Sequence, residues 1–126
     1  MSTSFSNLAG AVTRDIQQEL SPEEAFGWLE EGHARFKSQT PRNRDKAAML
    51  DGASQGQFPY AAVLGCIDSR APIEQVFDAA IGDLFVARVA GNVVNPDVLG
   101  SLEYACKYAG TKVILILGHT SCGAVG

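Results

Sequence analysis

Groups able to hold a metal or a proton near neutrality are scarce in this chain. Among 126 residues there are two histidines, His33 and His119, and three cysteines, Cys66, Cys106 and Cys122. An odd cysteine count excludes a framework in which every thiol is paired, and leaves metal ligation or simple burial. Residues 1–20, MSTSFSNLAGAVTRDIQQEL, hold no basic stretch followed by an apolar one. No signal peptide is therefore expected, and the cytoplasm is the expected compartment. No stretch approaches the ~18 apolar residues of a membrane span. No Lys/Arg run is present and the formal net charge is -4, so neither nucleic acid nor an anionic membrane is an expected partner. No internal repeat or low-complexity tract is visible. What is present, 46% hydrophobic and 19% charged residues, is ordinary for one globular domain with a buried core.

The residues that can carry chemistry gather at two places. Lys112 to Gly126 reads KVILILGHTSCGAVG: a buried-strand run, a turn at Gly118, then His119 and Cys122 in H-x-x-C spacing. Upstream, the apolar run Ala61 to Gly65 is followed by Cys66, Asp68 and Arg70 in C-x-D-x-R order. Two strand ends that each release ionisable ligands point to one metal site between them.

The intervening pattern is consistent with that geometry. A helix from about Asn7 to Leu20 precedes a strong helix start at Ser21-Pro22-Glu23-Glu24, with Ser21 as N-cap, Pro22 in the first turn and Glu24 as capping-box partner. Phe26, Leu29, His33 and Phe36 recur at helical steps and predict one packed face, on which His33 is a partly buried packing residue. Pro41 ends this helix, and a helical patch at Lys46 to Leu50 follows. Residues 1–57 thus form an N-terminal helical arm, expected to dock on a second subunit, and residues 58–126 the α/β core that carries the candidate ligands. In that core, strands are expected at Tyr60–Gly65, Leu84–Val89 and Lys112–Leu117. Helices are expected at Ile73–Ala80 and from Pro96 to about Tyr108, the latter with Leu99, Leu102, Ala105 and Cys106 as its apolar stripe. The alternation gives an α/β fold, a parallel βαβαβ sheet with strand order 2-1-3 and right-handed crossovers. Ligands of such sheets collect at the carboxyl ends of strands, where Cys66, His119 and Cys122 lie.

Two thiolates and one imidazole favour zinc over magnesium, calcium or manganese, and three protein ligands match a catalytic zinc with an open position. Two other readings remain: buried thiols beside a turn histidine, or a structural zinc with Asp68 as permanent fourth ligand. Asp68 and Arg70 point the same way on an extended strand exit, and arginine can clamp a carboxylate with two parallel N–H bonds. Asp68 could then accept a hydrogen bond from water or hydroxide on the metal, or swing in as its fourth ligand. A surface ion pair is the alternative for these two residues.

The motifs C-x-D-S-R at 66–70, GDLFVARVAGN at 82–92, S-L-E-Y-A at 101–105 and G-H-T-S-C-G-A-V at 118–125 resemble those of the β-class carbonic anhydrases. The resemblance implies one zinc ion per subunit on Cys66, His119 and Cys122, with Asp68–Arg70 as the catalytic dyad. It implies reversible hydration of carbon dioxide to bicarbonate and a proton. Homodimers or tetramers are also implied, with N-terminal helices crossing to the partner. Tyr104 matches a pocket-lining tyrosine of some members, or else packs in the core. Arg88 matches the family arginine after the second strand, with a dimer-interface role preferred, and Cys106 matches no ligand. Val63 stands where some bacterial members carry a tryptophan used in bicarbonate regulation, and Ala79-Ala80 where plant-type members carry a pocket glutamine. Family members continue past Gly126, so residues 1–126 alone are expected to bind zinc poorly or misassemble unless dimerisation covers the gap. Two further functions stay open: carbon disulfide or carbonyl sulfide hydrolysis on the same scaffold, and a zinc-binding but inactive assembly module.

Overall fold

In the computed structural model, residues 8–125 are described; Asn7 and Gly126, at the edges of two expected elements, lie outside them. A parallel three-stranded sheet in the order β2-β1-β3 forms the centre, the order expected from the strand pattern. β1 (Ala61–Gly65) is buried at every position, which a continuous apolar run with a strand on each side demands. β2 (Leu84–Arg88) pairs with it from Ala61↔Leu84 to Gly65↔Arg88, and β3 (Ile114–Ile116) from Ala62↔Ile114 to Leu64↔Ile116. The carboxyl ends of all three strands are therefore level, and that places the loops that matter side by side.

The helices differ in detail from the sequence pattern. α1 (Arg14–Glu19) is shorter than expected because Thr13 already caps it. α2 (Pro22–Ser38) begins with the expected capping box between Ser21 and Glu24, but its buried face is Ala25, Trp28, Leu29 and Gly32. Phe26 and Phe36 are each 42% exposed. The face is turned because α2 approaches the segment that follows Val76 through Gly32, where a Cβ would stand 1.8 Å from the Phe77 carbonyl oxygen. His33 is half-buried beside it, with Nδ1 3.1 Å from Val76 O and its ring 6.1 Å from that of Phe77. α3 (Lys46–Ala53) is capped by Asp45 and runs past Leu50.

α4 covers only Ile73–Val76, half of the helix expected. Asp78 turns left-handed at φ 47, and the Ala80 N–H is taken by the buried Asp83 carboxylate at 2.8 Å rather than by the helix. α5 (Pro96–Glu103) is capped by Asn95 and gives way to a π turn at Tyr104–Tyr108. Its buried residue is Val98, whereas Leu99 is exposed, because α5 lies over the sheet's edge strand. Side chains from both segments share one core: Val12, Leu20, Ala25, Trp28 and Leu29 pack with Tyr60, Ala61, Val63 and Ile73. Among the described residues no helix is long and apolar enough to cross a membrane.

Candidate metal centre

β1 delivers the first candidate ligand. After Gly65 the chain leaves the sheet at Cys66, which is buried. β3 delivers the other two. The Leu117 N–H donates to Leu64 O at 2.9 Å, so this exit runs beside that of β1 before turning through Gly118 to His119. The turn passes through Ser121 at φ 55, a left-handed conformation that costs a non-glycine residue on the order of 1–2 kcal/mol. That reversal brings Cys122 back beside Cys66.

The ligand atoms of Cys66, His119 and Cys122 lie within 4.8 Å of one another, and the two sulfurs are 3.9 Å apart. Two sulfurs on a tetrahedral ion with ~2.3 Å bonds stand about 3.8 Å apart, so the pair is already at metal-binding separation. The ring of His119 is set for the same purpose. Its Nδ1 is 2.9 Å from Thr120 O, and as donor there it leaves the lone pair on Nε2. Nε2 is buried without a hydrogen-bond partner of normal geometry. An orphaned imidazole nitrogen within reach of two thiols fits a soft divalent ion.

The electrostatics agree. The Cys66 thiol is lowered to about 6, first by the His119 ring and then by the backbone N–H groups of Gly91 and Asp68. The Gly91 N–H lies 3.2 Å from the sulfur. His119 is raised, chiefly by Cys66. Cys66 is thus predisposed to the thiolate that ligates, while a metal at His119 Nε2 would displace the proton that the neighbouring thiolate favours there.

Asp68 does not join the three ligand atoms; among the described residues the group is Cys66, His119 and Cys122. Its carboxylate faces Arg70. Oδ1 accepts from the Arg70 backbone N–H at 2.8 Å and from Nε–H at 3.0 Å, and Oδ2 accepts from Nη2 at 2.6 Å. The side-chain donors of Arg70, then its backbone N–H, hold the carboxyl well below the usual carboxylate range. Arg70 Nη2 also reaches Ser121 O at 3.2 Å, which ties the pair to the β3 turn. Asp68 Oδ2 is 3.8 Å from His119 Nδ1. An ionised, oriented acceptor therefore stands at the rim of the three candidate ligands without joining them. Asp68, Arg70, His119 and Ser121 line a hollow of about 250 Å³.

Tyr104 is not brought to this group. It is 51% exposed, stands edge-on to Phe85 and stacks on Tyr108, along a groove of about 590 Å³ between β2 and α5. Sequence reasoning placed the A-G-N turn after β2 within the GDLFVARVAGN motif and gave Gly91 and Asn92 no role of their own. That turn places the Gly91 N–H on the Cys66 sulfur and the Asn92 side-chain amide 3.2 Å from Leu117 O. Gly91 sits at φ 75, and a Cβ there would stand 3.2 Å from Val125 Cγ2. The glycine was the available signal, readable only once the turn is seen to abut the metal loops.

Comparison with known proteins agrees with this geometry. The family profile described as carbonic anhydrase matches residues 61–126. Carbonic anhydrase 2 of Mycobacterium tuberculosis is 42% identical over 106 residues, 83% of this chain and 51% of that protein. The β-carbonic anhydrase CafA of Aspergillus fumigatus superposes with a TM-score of 0.59 at 28% identity, over 80% of this chain and 47% of that one. One of two tetrameric β-carbonic anhydrases of Sordaria macrospora superposes with a TM-score of 0.58 at 29% identity, over 75% of this chain and 47% of that one. The chain spans about half the length of the curated relatives it matches.

Proposed function

Because this chain belongs to the carbonic anhydrase family, in its β class, we propose that it hydrates carbon dioxide reversibly to bicarbonate and a proton. The cofactor is one Zn²⁺ on Cys66 Sγ, His119 Nε2 and Cys122 Sγ. When bound, zinc supplies a nucleophile at neutral pH by acidifying water. Cys66 and Cys122 provide the thiolates, and the Thr120 carbonyl orients the His119 ring that completes the set. Asp68, kept ionised by Arg70, accepts a proton-bearing partner's hydrogen bond and orients that partner toward the hollow at 68–71 and 119–121. Arg70 holds both oxygens of that carboxylate. The observation that carries this reading is the separation of the two sulfurs, 3.9 Å, with the unpartnered His119 nitrogen beside them.

The same reading makes the protein a homo-oligomer, with residues 1–57 as a dimerisation element. Support comes from the exposed Phe26 and Phe36 on α2 and from the tetrameric state of the Sordaria relatives. Tyr104, half-exposed on the β2–α5 groove, would line a substrate pocket only with a partner copy closing it. Stopped-flow hydration with a pH indicator, run beside zinc analysis, tests the proposal. Zinc-dependent hydration that is lost in Cys66→Ser supports it. Stoichiometric zinc with no hydration points to an assembly module, and sulfide release from carbon disulfide without hydration points to the hydrolase.

A further inference from the structure

We propose that Arg88 is a positioning residue that fixes the spacing between the metal ligand Cys66 and the carboxylate of Asp68. This rests on the carbonic anhydrase reading for the role of Asp68, but not for the geometry. Arg88 ends β2 opposite Gly65. The last ladder bond there is from the Val89 N–H to Gly65 O at 3.1 Å. Past that rung, the β1 exit leaves the ladder while still carrying the carbonyls of Cys66 and Asp68. The Arg88 side chain takes both: Nε–H donates to Cys66 O at 2.8 Å and Nη2 to Asp68 O at 2.7 Å.

The two donors lie on one edge of a rigid plane, so a single guanidinium sets the distance between the two peptides. One of those peptides carries the sulfur and the other the carboxylate. The division of labour with Arg70 follows directly. Arg70 binds the Asp68 carboxylate, and Arg88 binds the backbone from which that carboxylate and the sulfur project. The next turn adds to the brace, with the Gly91 N–H on the Cys66 sulfur and the Asn92 amide on Leu117 O. β2 contributes no metal ligand, yet its exit contacts the loops that carry Cys66 and His119. A lysine at position 88 could reach one carbonyl and could not fix their separation.

The test uses Arg88→Met and Arg88→Lys in the zinc and cobalt(II) holoenzymes. Zinc affinity is measured by chelator competition, the sulfur-to-cobalt charge-transfer band reports the thiolates, and hydration gives kcat and KM. Partners in the outer shell of a metal typically govern 10–100-fold in affinity or activity. Arg88→Met is expected to lose about that much zinc affinity, to shift the cobalt band, and to lower kcat more than it changes KM. Arg88→Lys is expected to recover part of each. Zinc affinity within twofold of the parent and an unchanged cobalt band in Arg88→Met would overturn the proposal. So would an unchanged band accompanied by lower thermal stability of the metal-free protein, which would make Arg88 structural only. A parent that binds zinc but hydrates no carbon dioxide would sink the functional reading alone, since the affinity and cobalt readouts still decide on Arg88.

Discussion

Arg44→Met removes the partner of a carboxylate that has no access to water. Asp83 is 0% exposed, and its two oxygens accept from Nη1 and Nη2 of Arg44, the latter at 3.1 Å. Asp83 Oδ2 also accepts the Ala80 N–H, and the Asp83 carbonyl receives the Tyr60 N–H that starts the β1–β2 pairing. The pair thus anchors the entry of the strand that ends in Arg88. Breaking a buried pair from one side costs roughly 3–5 kcal/mol, because a charge is left without its counter-ion. Against a total of about 5–15 kcal/mol for a domain, that is roughly a fifth or more. With a urea slope of about 1–3 kcal/mol/M, the unfolding midpoint of the metal-free protein should fall by at least ~1 M.

The pH dependence has a definite sign. Burial raises the Asp83 carboxyl despite Arg44, so the folded state holds the proton more tightly than the unfolded one. Stability therefore falls as pH rises from the unfolded pKa through the folded one. Losing Arg44 raises the folded pKa further, so the deficit of Arg44→Met should shrink on acidification from pH 7 to 5. Arg44→Met/Asp83→Asn should recover much of the loss, since no charge is then stranded. Urea unfolding at both pH values decides. A loss under 1 kcal/mol at pH 7, or a deficit that grows with acid, would refute the reasoning.

Asp68→Asn should keep its zinc and lose about 10²–10⁴ in kcat/KM, the usual weight of an oriented proton acceptor; an unchanged rate would remove Asp68 from the chemistry. Because Cys66 is lowered to about 6, its proton must be displaced by metal only below that pH. The zinc affinity should therefore steepen by up to a further tenfold per pH unit as pH falls through 6, a break that chelator competition between pH 5 and 8 would reveal. Gly32→Ala forces a Cβ to 1.8 Å from Phe77 O and should cost about 1–3 kcal/mol. Gly27→Ala on the same helix meets nothing within 4 Å and should stabilise by up to about 1 kcal/mol. Thermal melts of the two variants should move in opposite directions.

The sheet could be read from the sequence because β1 is apolar at consecutive positions and its neighbours recur at βαβ spacing. The capping box of α2 could be read because Ser21 and Glu24 are local. Which face of α2 is buried could not, since the close approach at Gly32 depends on the Phe77 carbonyl, distant in the chain. α4 looked longer because the pattern to Ala80 is helical, while the bond that ends it comes from Asp83. Ile114 and Ile116 looked as buried as β1 and are exposed, because β3 has one packed face among the described residues. The motifs named Cys66, Asp68, Arg70, His119 and Cys122, which the fold brings into one neighbourhood. The backbone roles of Arg88, Gly91 and Asn92 were hidden, because a side chain reaching a carbonyl leaves no pattern in the residue it reaches.

X-ray absorption at the zinc edge of the zinc-loaded protein tests the central claim most directly. Two sulfurs at ~2.3 Å with one imidazole nitrogen and one further light atom at ~2.0–2.1 Å are expected, with one sulfur lost in Cys66→Ser. A shell without sulfur, or one that Cys66→Ser leaves unaltered, would contradict the account.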